Sequence, residues 1–212
     1  AMKMVAAAKL KRAQDKITQM RPYSQKLTGI LQNVTAGLDD DGSNVYGVER
    51  EIERVLIVVV TSDRGLCGAF NTNVFKATRA LIDEKYKREE KYGQLEIMPI
   101  GKKAFEFFSK RDYKVVADHW EMFHDLNFDT ARAGAEQVMK AFAAGEYDKV
   151  DLIYNEFKNV ATQILRTEQF LPIVQAEEEG VEDSSVDYIF EPSKEYMVEE
   201  LIPASLKIQF YK

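Results

Sequence analysis

Residues Val55 to Asn73 decide the fold, and they read Val-Leu-Ile-Val-Val-Val-Thr-Ser-Asp-Arg-Gly-Leu-Cys-Gly-Ala-Phe-Asn-Thr-Asn. The first six are aliphatic and mostly β-branched, a composition that is typical of strands. Because this run contains no polar residue, it predicts a strand buried on both faces, as in a parallel sheet that is covered by helices.

A sharp turn and a helix follow this strand. Gly65 and Gly68 can adopt backbone angles that are closed to other residues, so we expect them to shape the turn. Four apolar residues at helical spacing come next: Phe70, Val74, Ala77 and Leu81. They predict a helix whose N-cap is Asn71 or Asn73. A strand, a polar turn and a helix in this order are typical of an α/β domain.

The glycine-rich turn suggests a phosphate site, since a helix N-terminus offers unpaired amide groups to an anion. A dinucleotide site requires Gly-x-Gly-x-x-Gly and a P-loop requires Gly-x-x-x-x-Gly-Lys-Ser/Thr. This turn has Gly-x-x-Gly, with Asp63 and Arg64 before it and no lysine after it. We interpret it as a structural turn in which Asp63 and Arg64 satisfy backbone groups or each other. It comprises Thr61, Ser62, Asp63, Arg64, Gly65, Leu66, Cys67 and Gly68.

Strands and helices continue to alternate along the chain. The predicted elements are a strand at Leu95–Ile100 ending at Gly101, a short helix at Lys102–Arg111 with Phe105 and Phe108 inward, a strand at Tyr113–Trp120, a helix from its cap Asp129 to Ala144, and strands at Val150–Phe157 and Ala161–Ile173. Lys158 and Asn159 can turn a hairpin between the last two strands. The predicted fold class is therefore α/β, with a Rossmann-like mixed sheet that has one antiparallel edge.

Composition limits the class of protein. The chain has 212 residues, 45% of them hydrophobic, which is enough for one core with an appendage. Its single cysteine, Cys67, excludes an internal disulfide, and we expect it to be a small packed residue rather than a nucleophile. No apolar run approaches the length of a membrane span. We therefore expect a soluble chain, which can still belong to a membrane complex.

Charge is distributed unevenly along the chain. The net charge is −6, but residues 1–26 carry seven basic side chains against one acidic one, which gives +6 and leaves −12 for the remainder. The basic residues are Lys3, Lys9, Lys11, Arg12, Lys16, Arg21 and Lys26. The apolar positions of the same region are Leu10, Ala13, Ile17, Met20, Leu27, Leu31 and Val34. Their alternating steps of three and four residues predict a basic helix with a coiled-coil seam.

The end of the chain has the same pattern. After Pro192 and the expected N-cap Ser193, the apolar series is Met197, Leu201, Ala204, Ile208 and Tyr211. Pro203 lies inside it and is expected to kink the helix or to shift its hydrogen bonding. Both terminal helices end without capping signals, so we expect each to continue in a longer protein and the two to pair antiparallel. The polar, acidic segments Gly37–Gly47 and Glu177–Ser185 are expected to be exposed loops.

Candidate catalytic and metal sites are few. His119 and His124 lie near acidic residues, but a spacing of five fits neither one helix face nor one strand face, so we interpret them as surface residues. Asp39–Asn44 resembles part of a calcium loop without its spaced ligands or closing glutamate. We expect no cofactor and no catalytic residue.

Four motifs make the chain resemble the gamma subunit of the F-type, rotary ATP synthase. They are Ala1 to Leu10 (Ala-Met-Lys-Met-Val-Ala-Ala-Ala-Lys-Leu), Arg21-Pro22-Tyr23, the turn Thr61 to Gly68, and Asp187 to Pro192 (Asp-Tyr-Ile-Phe-Glu-Pro). The likeness follows the family's order along the whole chain. The family's segment before Ala1 and the continuation of its last helix beyond Lys212 are missing, in agreement with the abrupt ends.

This resemblance implies a rotor that performs no bond chemistry. In the family, the terminal helices form an antiparallel coiled-coil shaft inside a ring of alternating alpha and beta subunits, and the α/β domain lies beside epsilon and the c-ring. The implied domains are a shaft helix at 1–36, a linker at 37–53, the Rossmann-like domain at 54–175, an acidic loop and foot at 176–192, and a shaft helix at 193–212. The implied location is the cytoplasmic face of the bacterial inner membrane, favoured over the mitochondrial matrix, without direct membrane insertion.

The resemblance also implies site residues. Met2, Lys3, Lys9, Lys11 and Arg12 fall in the family's coupling region, where they contact the alpha and beta subunits. A second set, Tyr23, Tyr188, Phe190 and Glu191, falls at the foot that meets the c-ring. The turn Thr61 to Gly68 corresponds to a structural feature that supports the shaft.

Each assignment has a structural alternative, and two other functions stay open. The alanines near the start can serve only helix packing, Tyr188 and Phe190 can be core aromatics, and the basic run can be a solvated face. One competing function is a binding module whose basic helix lies on nucleic acid or an anionic membrane. It is disfavoured because the helix lacks aromatic residues for base stacking and its seam is needed for pairing. The other is a nucleotide-dependent enzyme that uses the Ser62–Gly68 turn.

Overall fold

The computed structural model describes residues 2–36, 44–159, 162–174 and 196–211. These belong to two compact units, one from Ala1–Asn44 with Gln175–Lys212 and the other from Val45–Val174. Apart from residues 44–47, the segments expected to be acidic loops fall outside the described residues, as does the expected N-cap Ser193.

The helices and strands follow the order that the sequence pattern predicts, with an additional short helix at Lys87–Lys91 that it does not predict. The helices are α1 (Met2–Ala36), α2 (Phe70–Lys85), α3 (Lys87–Lys91), α4 (Lys102–Phe108), α5 (Phe128–Ala143) and α6 (Ile202–Tyr211). The strands are β1 (Val55–Val60), β2 (Leu95–Ile100), β3 (Lys114–Val115), β4 (Lys149–Asn159) and β5 (Thr162–Leu171). A 3-10 turn at Met122–Asp125 precedes α5, and a π-helical turn at Met197–Leu201 precedes α6.

The described residues of the second unit form a five-stranded sheet in the order β3-β2-β1-β4-β5. β1 lies at its centre and pairs in parallel with β2 and β4, while β5 pairs antiparallel with β4. Because β1 has neighbours on both edges and helices on both faces, its first five residues are buried. The predicted mixed sheet with one antiparallel edge, flanked by helices, is confirmed.

The two faces of the sheet are covered differently. Val55, Ile57 and Val59 point to the face that α2 and α4 cover, and they form the core there with residues such as Phe108 and Tyr86. The register of a parallel sheet directs Leu56 and Met98 to the other face. There they line a cleft of about 350 Å³ together with residues of α5.

The third strand is much shorter than predicted. The sequence pattern indicates a strand at Tyr113–Trp120, but only Lys114–Val115 pairs with β2. After this pair the Val116 amide still donates to the Ile97 carbonyl, and further along the chain the Trp120 carbonyl accepts a hydrogen bond from the Gly101 amide at 3.0 Å. Asp118 accepts a hydrogen bond from Gln137 of α5. In the second half of the predicted strand, these hydrogen bonds take the place of further pairing with β2.

Two predicted turn positions are also corrected. The N-cap of α5 is Asn127, whose side chain accepts from the Thr130 amide, whereas the predicted cap Asp129 lies inside the first turn. The predicted hairpin residues Lys158 and Asn159 belong to β4, and the Asn159 side chain accepts from the Thr162 amide. At the start of α5 the asparagine that makes the local hydrogen bond lies two residues before the predicted cap, and in the hairpin it is one of the two predicted residues.

The terminal helices contact each other, as the coiled-coil pattern predicts. Along the seam of α1, Leu10 and Ala13 are exposed, Ile17 and Met20 are half-buried, and Leu27 is buried. The buried residues of α6 are Ile202, Ser205 and Leu206. The buried stripe thus lies one residue after the predicted stripe, which includes Leu201 and Ala204. The reason is that a π-helical turn holds one more residue than an α-helical turn.

A buried carboxyl group joins the sheet to the helical layer. Asp151 of β4 accepts a hydrogen bond from the Tyr86 hydroxyl at 2.6 Å, and both residues are at least 95% buried. Burial raises the pKa of the Asp151 carboxyl, while the Tyr86 hydrogen bond and the charges of Lys149 and Lys85 oppose this rise. Burial also raises the pKa of the Tyr86 phenol, so it remains a donor.

We expect Tyr86→Phe to destabilise the fold by about 1–3 kcal/mol, because a buried acceptor loses its donor. It also removes an interaction that lowers the pKa of Asp151. A carboxyl whose pKa is raised in the folded state contributes stability at acidic pH and loses it as the pH rises above its ordinary value of 3.8. The loss caused by the substitution should therefore grow from acidic to neutral pH, as measured by urea unfolding.

Tyr154→Phe is the matched control for this prediction. Its hydroxyl donates to Glu168 at 3.0 Å, but both residues are only half-buried. Water can replace this donor, so the control should cost less than Tyr86→Phe. Equal losses for the two variants, or a loss for Tyr86→Phe that does not change with pH, would show that Asp151 does not depend on its tyrosine.

Candidate functional site

The turn after β1 caps the N-terminus of α4. Three consecutive turn residues accept hydrogen bonds from the first three amide groups of the helix, which have no partners within the helix itself. The pairs are Asp63 Oδ1 with the Lys102 amide at 2.9 Å, the Ser62 carbonyl with the Lys103 amide at 3.2 Å, and Thr61 Oγ1 with the Ala104 amide at 2.8 Å. The prediction that Asp63 satisfies a backbone group is confirmed.

Gly101 lets the end of β1 approach α4 this closely. Its φ angle is +100°, and a Cβ atom built on it would lie 2.2 Å from the Thr61 carbonyl oxygen. Real Cβ atoms do not approach other atoms so closely. Because the Gly101 amide is also bonded to the Trp120 carbonyl, the residue is held from two sides. The sequence analysis treated Gly101 only as the end of a strand and missed this role.

Ser62 and Asn71 join the turn to α2. Asn71 Oδ1 accepts from the Ser62 amide at 3.1 Å, and Asn71 Nδ2 donates to Ser62 Oγ at 2.9 Å. The N-cap residue of α2 is Ala69, which makes no side-chain hydrogen bond to the helix. The prediction that Asn71 or Asn73 caps this helix is therefore wrong, because the Asn71 side chain bonds to the turn.

The tip of the turn is exposed. Leu66 has a φ angle of +62° and Gly68 one of +60°, while Gly65 does not adopt a positive φ. The prediction that the two glycines shape the turn is therefore correct for Gly68 only. Cys67 is exposed, with Sγ 3.3 Å from Asn71 Nδ2. The expectation of a packed cysteine is wrong, because residues 64–69 all lie on the surface.

This geometry argues against an anion site at α4. A phosphate at a helix N-terminus needs amide groups that are open to it. Here those groups already have protein acceptors, and the Asp63 carboxylate occupies the position that an anion would take. The arrangement can stabilise the junction of β1 with α4, and it presents no amide cradle to a nucleotide there.

The two histidines do not converge on a metal site. His119 Nε2 lies 2.6 Å from Gln137 Oε1, and His124 Nε2 lies 4.0 Å from Asp63 Oδ2. Across the described ranges, no group of three or more His, Cys, Asp or Glu side chains is arranged to hold a metal ion. Of the calcium-like segment Asp39–Asn44, only Asn44 is described, and it is buried.

The first part of α1 presents charge and apolar surface together. The basic side chains Lys3, Lys9, Lys11 and Arg12 are all exposed. Met4, Val5 and Leu10 are also exposed, by 78%, 57% and 41% of their surface. Such a surface can attract an acidic partner over a distance and still offer it small apolar contacts.

The other predicted contact side chains lie outside the described part of the structure. Met2 and Tyr23 lie within α1, but their side chains are outside the described part of the structure, and Tyr188, Phe190 and Glu191 are outside it entirely. Within the described residues, no helix is both long enough and apolar enough to cross a bilayer.

Comparison with known proteins identifies the family. A sequence profile of the family described as ATP synthase matches residues 1–212. The ATP synthase gamma chain of Cytophaga hutchinsonii is 58% identical over all of this chain and 72% of its own length. The chain belongs to the ATP synthase gamma chain family. The gamma chain of Flavobacterium johnsoniae is 50% identical with the same coverage.

A solved structure shows the same fold. A chain in the central stalk and c-ring structure of Tetrahymena thermophila mitochondrial ATP synthase is 25% identical, with a TM-score of 0.61. The match covers 100% of this chain and 88% of that one. The gamma-chain resemblance inferred from the four sequence motifs is thus confirmed.

Substitution of Gly101 tests the close approach of β1 and α4. Gly101→Ala should destabilise the α/β unit by about 3 kcal/mol or more, since the new methyl group clashes with backbone and the φ angle is strained. Gly65→Ala is the control, because its Cβ would meet only Lys103 Cε at 4.0 Å. It should change the free energy of unfolding by less than about 0.5 kcal/mol. A tolerated Gly101→Ala would contradict the geometry.

Calorimetric titration tests the absence of a nucleotide site at the turn. We expect ATP, ADP and NAD to give no saturable heat with this chain, because the first amide groups of α4 have protein acceptors. A saturable heat with any of the three that is abolished by Lys103→Ala would show that the turn binds nucleotides after all.

Proposed function

We propose that this chain is the central-stalk rotor subunit of an F-type ATP synthase. It transmits rotation between the membrane c-ring and the alpha/beta ring, and so couples proton translocation to ATP synthesis or hydrolysis. The observation that carries this proposal is the gamma-chain match over the whole sequence, together with terminal helices that contact each other.

The chain itself carries out no bond chemistry in this proposal. As a shaft turns, it presents different surfaces to each beta subunit in sequence and favours a different nucleotide affinity in each. Such coupling requires only differential binding of the rotor to alternative conformations of its partners. The use of the first three α4 amide groups by turn residues supports a structural role for Thr61 to Gly68.

The exposed basic face of α1 is proposed as the coupling region. A shaft that must turn cannot be held by large interdigitated apolar contacts, whereas long-range attraction allows one partner to replace the next. Lys3, Lys9, Lys11 and Arg12 supply this attraction, and acidic segments of the beta subunits are the proposed partners. Met2 is assigned to the same region by its place in the sequence motif.

The lower contacts and the location complete the proposal. Tyr23, Tyr188, Phe190 and Glu191 are proposed to contact the c-ring, and the α/β unit is proposed to lie beside the epsilon subunit. Residues 1–36 and 193–212 are assigned to the shaft, 37–53 to a linker, 54–175 to the Rossmann-like domain, and 176–192 to the acidic loop and foot. The complex is peripheral and is proposed to lie on the cytoplasmic face of a bacterial inner membrane.

The alternative functions have less support. Binding of α1 to nucleic acid would need aromatic residues interleaved with the basic ones for base stacking, and residues 3–12 contain no aromatic side chain. Salt-sensitive, stoichiometric binding to duplex DNA at physiological salt would favour that alternative. The nucleotide-dependent enzyme would need an anion cradle, which the Asp63 carboxylate opposes at α4.

Met2→Lys tests the coupling role in the assembled complex. A full-length gamma chain should co-purify with the alpha and beta subunits, with or without the substitution. The added charge alters the rotor surface at the coupling level, so ATP synthesis per transported proton should fall by about threefold to tenfold, which corresponds to roughly 1 kcal/mol of lost differential binding. Proton-driven ATP synthesis and ATP hydrolysis are measured on the same membranes.

Thr18→Lys serves as the control, since it adds the same charge to an exposed position of α1 outside the coupling region. It should leave synthesis and assembly unchanged. If Met2→Lys couples as efficiently as the unmodified complex, the assignment of Met2 is wrong. If neither form assembles with alpha and beta subunits, the rotor function itself is refuted.

A further inference from the structure

The last helix begins with an irregular turn. Met197–Leu201 form one turn of π-helix, and α6 continues from Ile202 to Tyr211. Pro203, the second residue of α6, has no amide hydrogen, so it cannot make the α-helical bond to the Glu199 carbonyl. The lost bond lowers the preference for regular α-helix at this point and explains a π-helical turn that ends two residues before the proline.

The π-helical turn decides which face of α6 is buried. One residue advances an α-helix by about 100°, so an extra residue in a turn rotates everything after it by that angle. In the structure, Ile202, Ser205 and Leu206 are buried and Ala204 is exposed. The three-four pattern of a regular α-helix would instead turn the stripe of Leu201, Ala204 and Ile208 inward.

The two possible faces are closely matched in composition. The observed one buries the Ser205 hydroxyl, for which the described residues offer no hydrogen-bond partner. It also leaves Leu201 and Ile208 half-buried. The other one is apolar throughout but requires a regular helix at Pro203. Each register therefore gives up one favourable interaction that the other would gain.

We propose that the π-helical turn at Met197–Leu201 is a register switch, by which α6 alternates between burying Ile202, Ser205 and Leu206 and burying Leu201, Ala204 and Ile208. In this switch the irregular turn with its extra residue moves along the helix, which is a discrete shift of helix register. The switch rotates the surface of α6 by about 100° without breaking its hydrogen bonding elsewhere. This property belongs to the helix itself and does not depend on the rotor function.

A fluorine reporter at position 204 detects the two registers in the full chain. Cys67→Ser removes the native exposed thiol, and Ala204→Cys carries a trifluoromethyl tag observed by ¹⁹F NMR with a soluble paramagnetic agent. We expect two exchanging resonances, a broadened one from the exposed register and a protected one from the buried register. The same tag on Thr18→Cys, an exposed position of α1, should give a single broadened resonance.

Two variants should shift the populations in opposite directions. Deleting Glu199 removes the extra residue, so a regular helix then buries the observed face and the protected resonance should decrease. Pro203→Ala restores the missing amide, so the protected resonance should increase. Each change should be about twofold to tenfold, the effect of one net hydrogen bond.

The results separate the switch from a static irregularity. A single resonance at position 204 that neither variant alters would overturn the proposal. The same conclusion would follow if both variants shifted the populations in one direction. Circular dichroism checks that each variant is folded. If the deletion variant is not folded, Pro203→Ala alone decides, and an unchanged protected population in that variant refutes the switch.

Discussion

The approach of the end of β1 to the beginning of α4 is the contact on which the α/β unit depends. Thr61 can reach the Ala104 amide only because Gly101 has no side chain at the point where the two backbones meet. At the same point the Thr61 amide donates to the Ile100 carbonyl at 2.9 Å, so the end of the central strand is tied to both β2 and α4. In many α/β proteins the amide groups at such a point serve a ligand. Here the Asp63 carboxylate accepts from the Lys102 amide, so the amide groups at this point stabilise the junction of β1 with α4.

Charge and burial differ between the beginning of α1 and its later part. Four exposed basic residues lie within its first twelve positions, and the seam becomes more buried toward Leu27. A helix with this gradient can be anchored by packing in one part and interact by electrostatic attraction in another. Attraction between exposed charges decays over about 10 Å at moderate ionic strength, which suits contacts that must form and break repeatedly. The gradient thus agrees with a shaft held firmly at one level and turning against its partners at another.

The sequence predicted most of the fold because its signals are local and strong. The run from Val55 to Val60 could only be a buried strand, and the helix and strand alternation after it fixed the class. The predictions were wrong where a tertiary contact overrides the local structural preference of a residue. Asn71 is a good N-cap residue by type, but its side chain bonds to Ser62 across the turn. The predicted strand Tyr113–Trp120 has the right composition, but Gly101 and Gln137 bond to its second half.

The candidate site was predictable only in part, for two physical reasons. Exposed charges such as Lys9 and Arg12 follow directly from a helical pattern, whereas the partners proposed for them are other chains, which leave no trace in this sequence. The role of Gly101 depends on two backbones meeting, and its signal was a glycine directly after a buried strand.

The error in the last helix has a different cause. The heptad pattern assumes that each turn contains the same number of residues, but Pro203 removes one amide hydrogen and the turn before it takes up a fifth residue. A single missing donor thereby changes which side chains of the whole following helix are buried. A coiled-coil seam that is predicted from sequence is therefore valid only up to the nearest proline. In α6 the observed seam and the predicted one coexist as neighbouring stripes, and the hydrogen bonding of one turn selects between them.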